Sequence, residues 1–592
     1  MISPARIPLP DSFGTLQEGV PALVAELLAS QQSLTAVERF SARHDAARGA
    51  GTDTDSGFEN KDFYLDLIPR SAPEAGEQYA FEVDLDRCTG CKACVTACHN
   101  LNGLDDDETW RSVGVLQSAA PDPFASVIET LKPVQQHVTT ACHHCADPGC
   151  AQGCPTLAYE KDPDTGIVRH LDDQCFGCQY CILKCPYDVP QYSAKRGIVR
   201  KCDLCIGRLR AGEAPACAQA CPTQAIRVTL VGTAVVAAAP AAHFDLPGVP
   251  EPARVMPTTR YVSARGLPSG ISPADSAQVK PEHAHAPLVG MLVASQAAAG
   301  YWVLLAAFGL MGFAGGGFPW AEALGFGGVN AALGLSLLHL GRPWLAWKAM
   351  LGWRRSWLSR EVIAFTALAA STGACTTLAV AMWFLGGDGM PSGWSNLLSV
   401  ARAGLAFCVI GSAVAAVYAS AMVYRDTPRA LWATRDTLWK FSLTAAVCGI
   451  PAWLMVIDAL AVSGFGEAAP ALGTTLVFSL LPVAQIAKLA LEMRVLAHRG
   501  DGARGDFNPL WKTTRLLDGH YRFVWRARAA LGFAGGVFLP LAALVAAPHF
   551  VADLLAWPLF AVCAAAVLAG ELLERFLFFT TAVAPRMPGG RR

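Results

Sequence analysis

Charge is what this chain has least of. Asp, Glu, Lys and Arg together make up 16% of 592 residues, where about 25% is usual for a soluble protein, so a chain folded throughout as an ordinary soluble globule is excluded. The two signs balance, 47 Lys and Arg against 48 Asp and Glu, and no basic surface for nucleic acid is implied. Histidine is scarce within the apolar runs as well. Only His339 falls within an apolar run, and His549 stands alone near the opposite face, so the paired axial ligands of a haem b are missing and no haem is expected. The first thirty residues contain no twin arginine and no basic segment followed by an unbroken apolar stretch; Glu26 interrupts VPALVAELLA, the one candidate. No export of the N-terminal half is therefore expected. There is neither a phosphate-binding glycine loop nor a nucleophile arrangement, hence no visible substrate chemistry.

What is present is cysteine. Sixteen of the twenty fall into four groups: Cys88, Cys91, Cys94, Cys98; Cys142, Cys145, Cys150, Cys154; Cys175, Cys178, Cys181, Cys185; and Cys202, Cys205, Cys217, Cys221. In a C-x2-C-x2-C-x3-C run, three thiolates on a tight loop grip one iron-sulfur cluster and the fourth, entering a helix, reaches a neighbouring one. The run occurs twice, in the first and third groups. Zinc sites use paired C-x2-C units, and triplets spaced by two residues make poor disulfide partners, so both rivals are weak. The sequence reads as an electron conduit. The other four cysteines, Cys375, Cys408, Cys448 and Cys563, are scattered singly in apolar runs and read as small packing residues.

Four regions follow from composition. Residues 1–80 read as an N-terminal extension with helical spacing, Thr35 and Glu38 placed as a capping box. Residues 81–229 hold the cysteines between short strands (FEVDL, GIVRH, AIRVTL), giving an α+β ferredoxin-like domain for four clusters. Residues 230–285, rich in Ala, Pro and Ser, read as an extended linker. Residues 286–585 carry eight apolar stretches of about 20 residues or more, at 288–312, 320–340, 360–386, 397–423, 438–463, 469–493, 529–548 and 553–580, which predict an all-α eight-helix transmembrane bundle. Lys and Arg gather after the even-numbered stretches and in the tail, and are absent from the connections near 313–319, 387–396, 464–468 and 549–552. By the positive-inside rule both termini, and with them the cysteines, face the cytoplasm from the inner membrane. Trp320, Trp353, Trp357 and Trp557 suit interfacial anchors.

The phrases CTGCKACVTACHNLNG, CHHCADPGCAQGCPT, CFGCQYCILKCPYDVPQY and KCDLCIGRLRAGEAPACAQACP resemble the electron-transfer subunit of dimethyl sulfoxide reductase-type molybdoenzymes. HAPL before the first stretch, LHLGRPW at 338–344 and SWLSRE at 356–361 resemble the membrane anchor subunit of the same enzymes, as though two subunits were fused. The resemblance implies four 4Fe-4S clusters with ligands exchanged between groups: Cys88, Cys91, Cys94 with Cys221; Cys202, Cys205, Cys217 with Cys98; Cys142, Cys145, Cys150 with Cys185; Cys175, Cys178, Cys181 with Cys154. Because Cys181 is present, a 3Fe-4S cluster is not expected in the third group. It also implies a molybdopterin-containing catalytic partner near the first group, with the third group nearest the membrane.

Without haem, quinone (menaquinone or ubiquinone) has to meet the terminal cluster directly. The topology puts His339 at the cytoplasmic end of the second stretch, beside Arg342, Trp344, Arg360 and Glu361, and the resemblance makes this histidine the quinol ligand; His339, Arg342 and Glu361 are the candidate site. An imidazole there can bond a quinol oxygen and take its proton. A helix-capping histidine is the bland alternative. Lys488, Glu492, Glu571, Glu574 and Arg575 collect at the same level; each by itself reads more simply as an ion pair between helix ends. Asp458 alone makes no proton path. Three other functions fit the architecture: a sulfite-oxidising complex that reduces quinone, a hydrogenase module, and a partnerless carrier or structural anchor.

Overall fold

The computed structural model describes residues 66–118, 134–268, 270–312, 318–385, 392–465, 471–546 and 557–589. Most of the expected N-terminal extension, with its capping box, and parts of the expected far-side connections, His549 among them, lie outside the described residues.

The cysteine region is built from β1 (Glu77–Asp84), α1 (Ala93–Asn102), β2 (Ser112–Ser118), β3 (Gln135–Thr140), α2 (Gly149–Gly153), β4 (Tyr159–Lys161), β5 (Val168–His170), α3 (Tyr180–Lys184), β6 (Gln191–Ser193), β7 (Ile198–Arg200), α4 (Ala216–Gln219), β8 (Ile226–Gly232), β9 (Arg260–Val262) and β10 (Ile271–Pro273). β1 pairs antiparallel with β8, from Glu77 opposite Gly232 to Val83 opposite Ile226. That ladder joins the two ends of the region, so the segment leaving β1 toward Cys88 runs beside the segment arriving at β8 from Cys221. The hairpin β4–β5, with Tyr159 opposite His170, returns the backbone from Cys154 to Cys175. A second hairpin, β6–β7, returns it from Cys185 to Cys202. Helix α1 packs on α4 and α2 on α3, which pairs the first group with the fourth and the second with the third.

Two strands come from the Pro-rich segment after β8. β9 adds parallel to β1, and β10 pairs antiparallel with β2, so this segment is stitched to both three-stranded sheets.

The rest is helical: α5 (Ala286–Leu310), α6 (Phe318–Leu337), α7 (Trp357–Leu385), α8 (Ser392–Arg425), α9 (Asp436–Val462), α10 (Ala471–Met493), α11 (Pro509–Asp518), α12 (Arg522–Phe533), α13 (Leu539–Ala546) and α14 (Trp557–Thr580). A π-helical turn, Ala534–Phe538, joins α12 to α13. Among the described residues six stretches are long and apolar enough to cross a membrane: Ala286–Leu310, Trp357–Phe384, Asn396–Arg425, Asp436–Val462, Gly473–Ala503 and Arg522–Val545. The 25 residues of α5 rise about 38 Å against a hydrocarbon core of about 30 Å. The other two expected spans also fold as helices but are not among these six: α6 contains Glu322 and Asn330, and α14 carries Glu571, Glu574 and Arg575. Large apolar side chains such as Phe384, Val400, Phe407 and Val545 are exposed, as a lipid-facing surface requires.

The cysteine region is seated on one end of these helices. Ser356 Oγ donates to Gly153 O at 2.7 Å, Tyr180 Oη to Val423 O at 2.9 Å, and Lys184 Nζ to Asp426 Oδ2 at 2.7 Å. The tail returns to the same end, where Gly589 N donates to Asp275 Oδ1 at 2.8 Å. The segments meeting the cysteine region therefore follow α6 and α8 or end the polypeptide, and these are the connections rich in Lys and Arg.

Candidate functional site

All twenty cysteines are free thiols. Cys88, Cys91, Cys94 and Cys221 line one pocket, and Cys142, Cys145, Cys150 and Cys185 line another. Cys98 stands among Cys202, Cys205 and Cys217, and Cys154 among Cys175, Cys178 and Cys181. Four thiols are thus brought together four times, each set taking three cysteines from one group and the last cysteine of another. Among the described residues no three His, Cys, Asp or Glu side chains converge on a single metal ion; the thiols surround a volume instead, which suits a polynuclear group.

The backbone around the thiols is repeated. Lys92 and Gln179, each following a Gly-Cys pair, are left-handed with φ of 62°, which turns the loop back on itself before α1 and α3. In Cys154-Pro-Thr-Leu-Ala158 and Cys221-Pro-Thr-Gln-Ala225 the alanine N–H donates to the cysteine sulfur at 3.2 Å in both. N–H groups aimed at sulfur favour its anionic form. Burial and neighbouring thiols push the other way, holding Cys98 and Cys185 up at about 12. Thiols packed so that each opposes the ionisation of the next fit a cationic group that displaces their protons. His143, beside the second pocket, is a different case. Its Nδ1 meets Thr259 Oγ1 at 2.9 Å, and burial lowers it to about 3, so it is a neutral packing residue.

The membrane-side candidates occupy the end of α6 and the start of α7. Arg342 is turned toward the cysteines: its N–H donates to Phe176 O at 3.1 Å, its guanidinium to Asp172 O at 2.8 Å, and its charge acts on Cys175. Here backbones touch. A β-carbon at Gly341 would stand 2.1 Å from Gly197 O, and one at Gly177 3.0 Å from Gly341 N, so glycine is required on both sides. Among the described residues His339 Nδ1, Glu361 Oε1 and Ser420 Oγ are buried without a fully formed hydrogen bond, with the Ser336 backbone beside the imidazole and Ser420 beside the Glu361 carboxyl. Glu361 lies within electrostatic reach of Tyr180 and Tyr424, and His339 of His285. Among the described residues no hydrogen bond or ion pair joins His339, Arg342 and Glu361 to one another. Tyr180, next to Cys181 in sequence, packs among the buried residues of the helical part. Trp344, Trp347 and Trp353 are exposed around this turn.

Lys488, Glu492, Glu571, Glu574 and Arg575 form one buried network. Lys488 bonds Glu571 and Thr444; Arg528 donates to Glu571 at 2.7 Å and Glu492 at 2.8 Å; Arg575 stands 2.8 Å from Glu574 and donates to Gln296 at 2.9 Å. Thr444 and Gln296 have no sequence signal of their own, being uncharged polar residues in apolar helices, and Arg528 follows Arg522 and Arg526 in α12 like one more basic residue before an apolar run.

The folded cysteine repeat and the apolar helices behind it define a 4Fe-4S ferredoxin-type electron-transfer protein with a membrane-spanning part. Comparison with known proteins makes this more particular. The 4Fe-4S dicluster domain family matches residues 134–230, and a 4Fe-4S binding domain matches residues 79–100. The sequence is 39% identical over 150 residues to the B subunit of the anaerobic dimethyl sulfoxide reductase of Haemophilus influenzae, covering 25% of this protein and 73% of that subunit. It is 35% identical over 181 residues to the corresponding B subunit of Escherichia coli, covering 29% and 87%. The formate dehydrogenase iron-sulfur subunit of Haemophilus influenzae is 34% identical over 167 residues, covering 26% and 54%. This chain therefore belongs to the iron-sulfur subunit family of the dimethyl sulfoxide reductases.

Proposed function

We propose that this chain is the electron-transfer and membrane-anchor subunit of a cytoplasm-facing molybdopterin oxidoreductase, passing electrons between quinol and a separate catalytic subunit. In this reading the sixteen grouped cysteines hold four 4Fe-4S clusters, α5–α10, α12–α13 and α14 supply eight spans of the inner membrane, and His339 and Glu361 meet the quinone. The clusters carry single electrons. The protein's own residues divide the remaining work. His339 Nδ1 and Glu361 Oε1, both buried and neither held in an ion pair among the described residues, are available to take the two protons that a quinol gives up with its two electrons. Arg342 ties the histidine turn to the third cysteine group, and the Tyr180 side chain fills the space between that group and the helices.

One observation carries the reading: the turn holding His339 is bonded through Arg342 to Asp172 and Phe176, immediately before Cys175 and Cys178. Basic connections on the cysteine-bearing side support the cytoplasmic orientation. Similarity to formate dehydrogenase iron-sulfur subunits favours, as a second reading, the reverse flow from a catalytic subunit to quinone.

His339→Ala tests the site. The rate at which a quinol analogue reduces the clusters in detergent-solubilised protein is expected to fall ~10²-fold or more, the usual contribution of a positioned acid–base group, while iron content and the low-temperature EPR spectrum stay unchanged. An unaltered rate would remove His339 from the site, and loss of the clusters as well would make it a folding residue.

A further inference from the structure

Two buried cations stand between the thiol sets. Arg111 is 2% exposed. Its Nη1 donates to Thr139 Oγ1 at 3.1 Å, and the same Oγ1 is 3.5 Å from Cys94 Sγ; on its other side it acts on Cys98, Cys202 and Cys217. Its plane lies over Phe81, 4.6 Å from the ring centre, which holds it in place. Among the described residues Nε and Nη2 have no oxygen or nitrogen partner, and the guanidinium faces the Cys217 sulfur. A guanidinium cannot shed its charge, and leaving its N–H groups unmade in the interior costs the full desolvation of each, so these donors suit anionic sulfur at Cys217 and its neighbours. Lys201 is 3% exposed. It lines the pocket of Cys142, Cys145, Cys150 and Cys185, and its Nζ donates to Cys202 O at 2.9 Å and to Val168 O. The set of Cys154, Cys175, Cys178 and Cys181 is served differently, by neutral Tyr159 and by part-exposed Arg342.

We infer that Arg111 and Lys201 are electrostatic tuning residues, fixed cations inserted between neighbouring clusters that raise the reduction potentials of the clusters they adjoin. A reduced cluster carries one more negative charge than an oxidised one, and a cation fixed in a low-dielectric interior stabilises that charge strongly. An electron leaving the membrane-side set would move toward fixed positive charge. Neither side chain is a cluster ligand, and this inference rests on the four-cluster reading above.

Potentiometric EPR titration of the full-length protein in detergent tests it, with iron and sulfide analysis alongside. Arg111→Met and Lys201→Met are expected to keep the iron of the wild type and to shift midpoints negative by at least a tenfold loss in the reduced-to-oxidised ratio, which is 59 mV for a one-electron couple. Arg111→Lys, which keeps the charge, is expected to titrate close to wild type. Unchanged midpoints in both methionine variants would overturn the inference. So would iron loss in both, because the cations would then be holding the fold. A wild-type protein with fewer than four clusters would instead strike the four-cluster reading itself, so the two failures are told apart.

Discussion

The two halves of the molecule treat their most deeply buried cations in different ways. In the membrane half, Lys488, Arg528 and Arg575 are fully buried, and carboxylates of Glu571, Glu492 and Glu574 stand against them. In the cysteine half, Arg111 and Lys201 are just as deeply buried, yet they face thiols and backbone carbonyls. A cation taken out of water needs a counter-charge close by. One half supplies it from its own side chains; the other leaves it to what the thiols hold. The membrane-half cations are thus opposed by carboxylates of the chain itself, and Arg111 and Lys201 by the group that the thiols hold.

The comparison breaks most directly on iron. Expression under iron restriction is expected to leave residues 67–285 open to protease, because binding energy at such a site is folding energy, while the helices after Ala286 stay protected in the membrane. Limited proteolysis with mass spectrometry reads this. A cysteine region equally resistant with and without iron would show that its buried cations are satisfied by protein alone.

The membrane half is expected to respond to a single side chain and not to iron. Lys488→Met removes the partner of Glu571 on one side and leaves a buried carboxylate under-compensated, a cost of about 3–5 kcal/mol. The melting temperature in detergent should fall accordingly, and Lys488→Met combined with Glu571→Gln should recover most of the loss, since Arg528 keeps Glu492. A single variant as stable as wild type would mean that water, and not Lys488, balances the network.

How far the sequence could be read differs between the halves for the same reason. Cysteine spacing is local, so the four groups stood out, and the segments FEVDL, GIVRH and AIRVTL overlap β1, β5 and β8. Arg111 was not visible: it lies outside every motif and gains its neighbours only when the β1–β8 ladder closes the region. Glu571 and Lys488 were visible as charges in apolar runs, but the two partners are 83 residues apart in sequence, and Gln296 lies 279 residues from Arg575. β9 and β10 are three residues each, too short for alternation to show in a Pro-rich stretch. Apolar length alone made α6 and α14 look like the other spans, although Glu322 in one and the buried charges in the other set them apart.

The smallest effect lies where the two halves meet. Lys184 Nζ is bonded to Asp426 Oδ2 at 2.7 Å and to Asp426 O at 2.9 Å, and Arg254 donates to the same carbonyl at 2.8 Å. Burial lowers the pKa of Lys184 below its ordinary 10.5, and Asp426 offsets part of that. The Asp426 side chain is 36% exposed, so solvent screens the pair, and Asp426→Asn is expected to cost about 1 kcal/mol. The sign of its pH dependence follows from the lysine. At neutral pH the ammonium is charged and the lost attraction is felt in full; as pH rises through the lowered pKa toward 10.5 the folded lysine becomes neutral, and there is no longer a charge for Asp426 to stabilise. The gap in melting temperature between wild type and Asp426→Asn should therefore close between pH 7 and 10.5. A gap that persists unchanged would assign the loss to hydrogen-bond geometry, and the junction would then join the halves without the charge pairing that orders the membrane side.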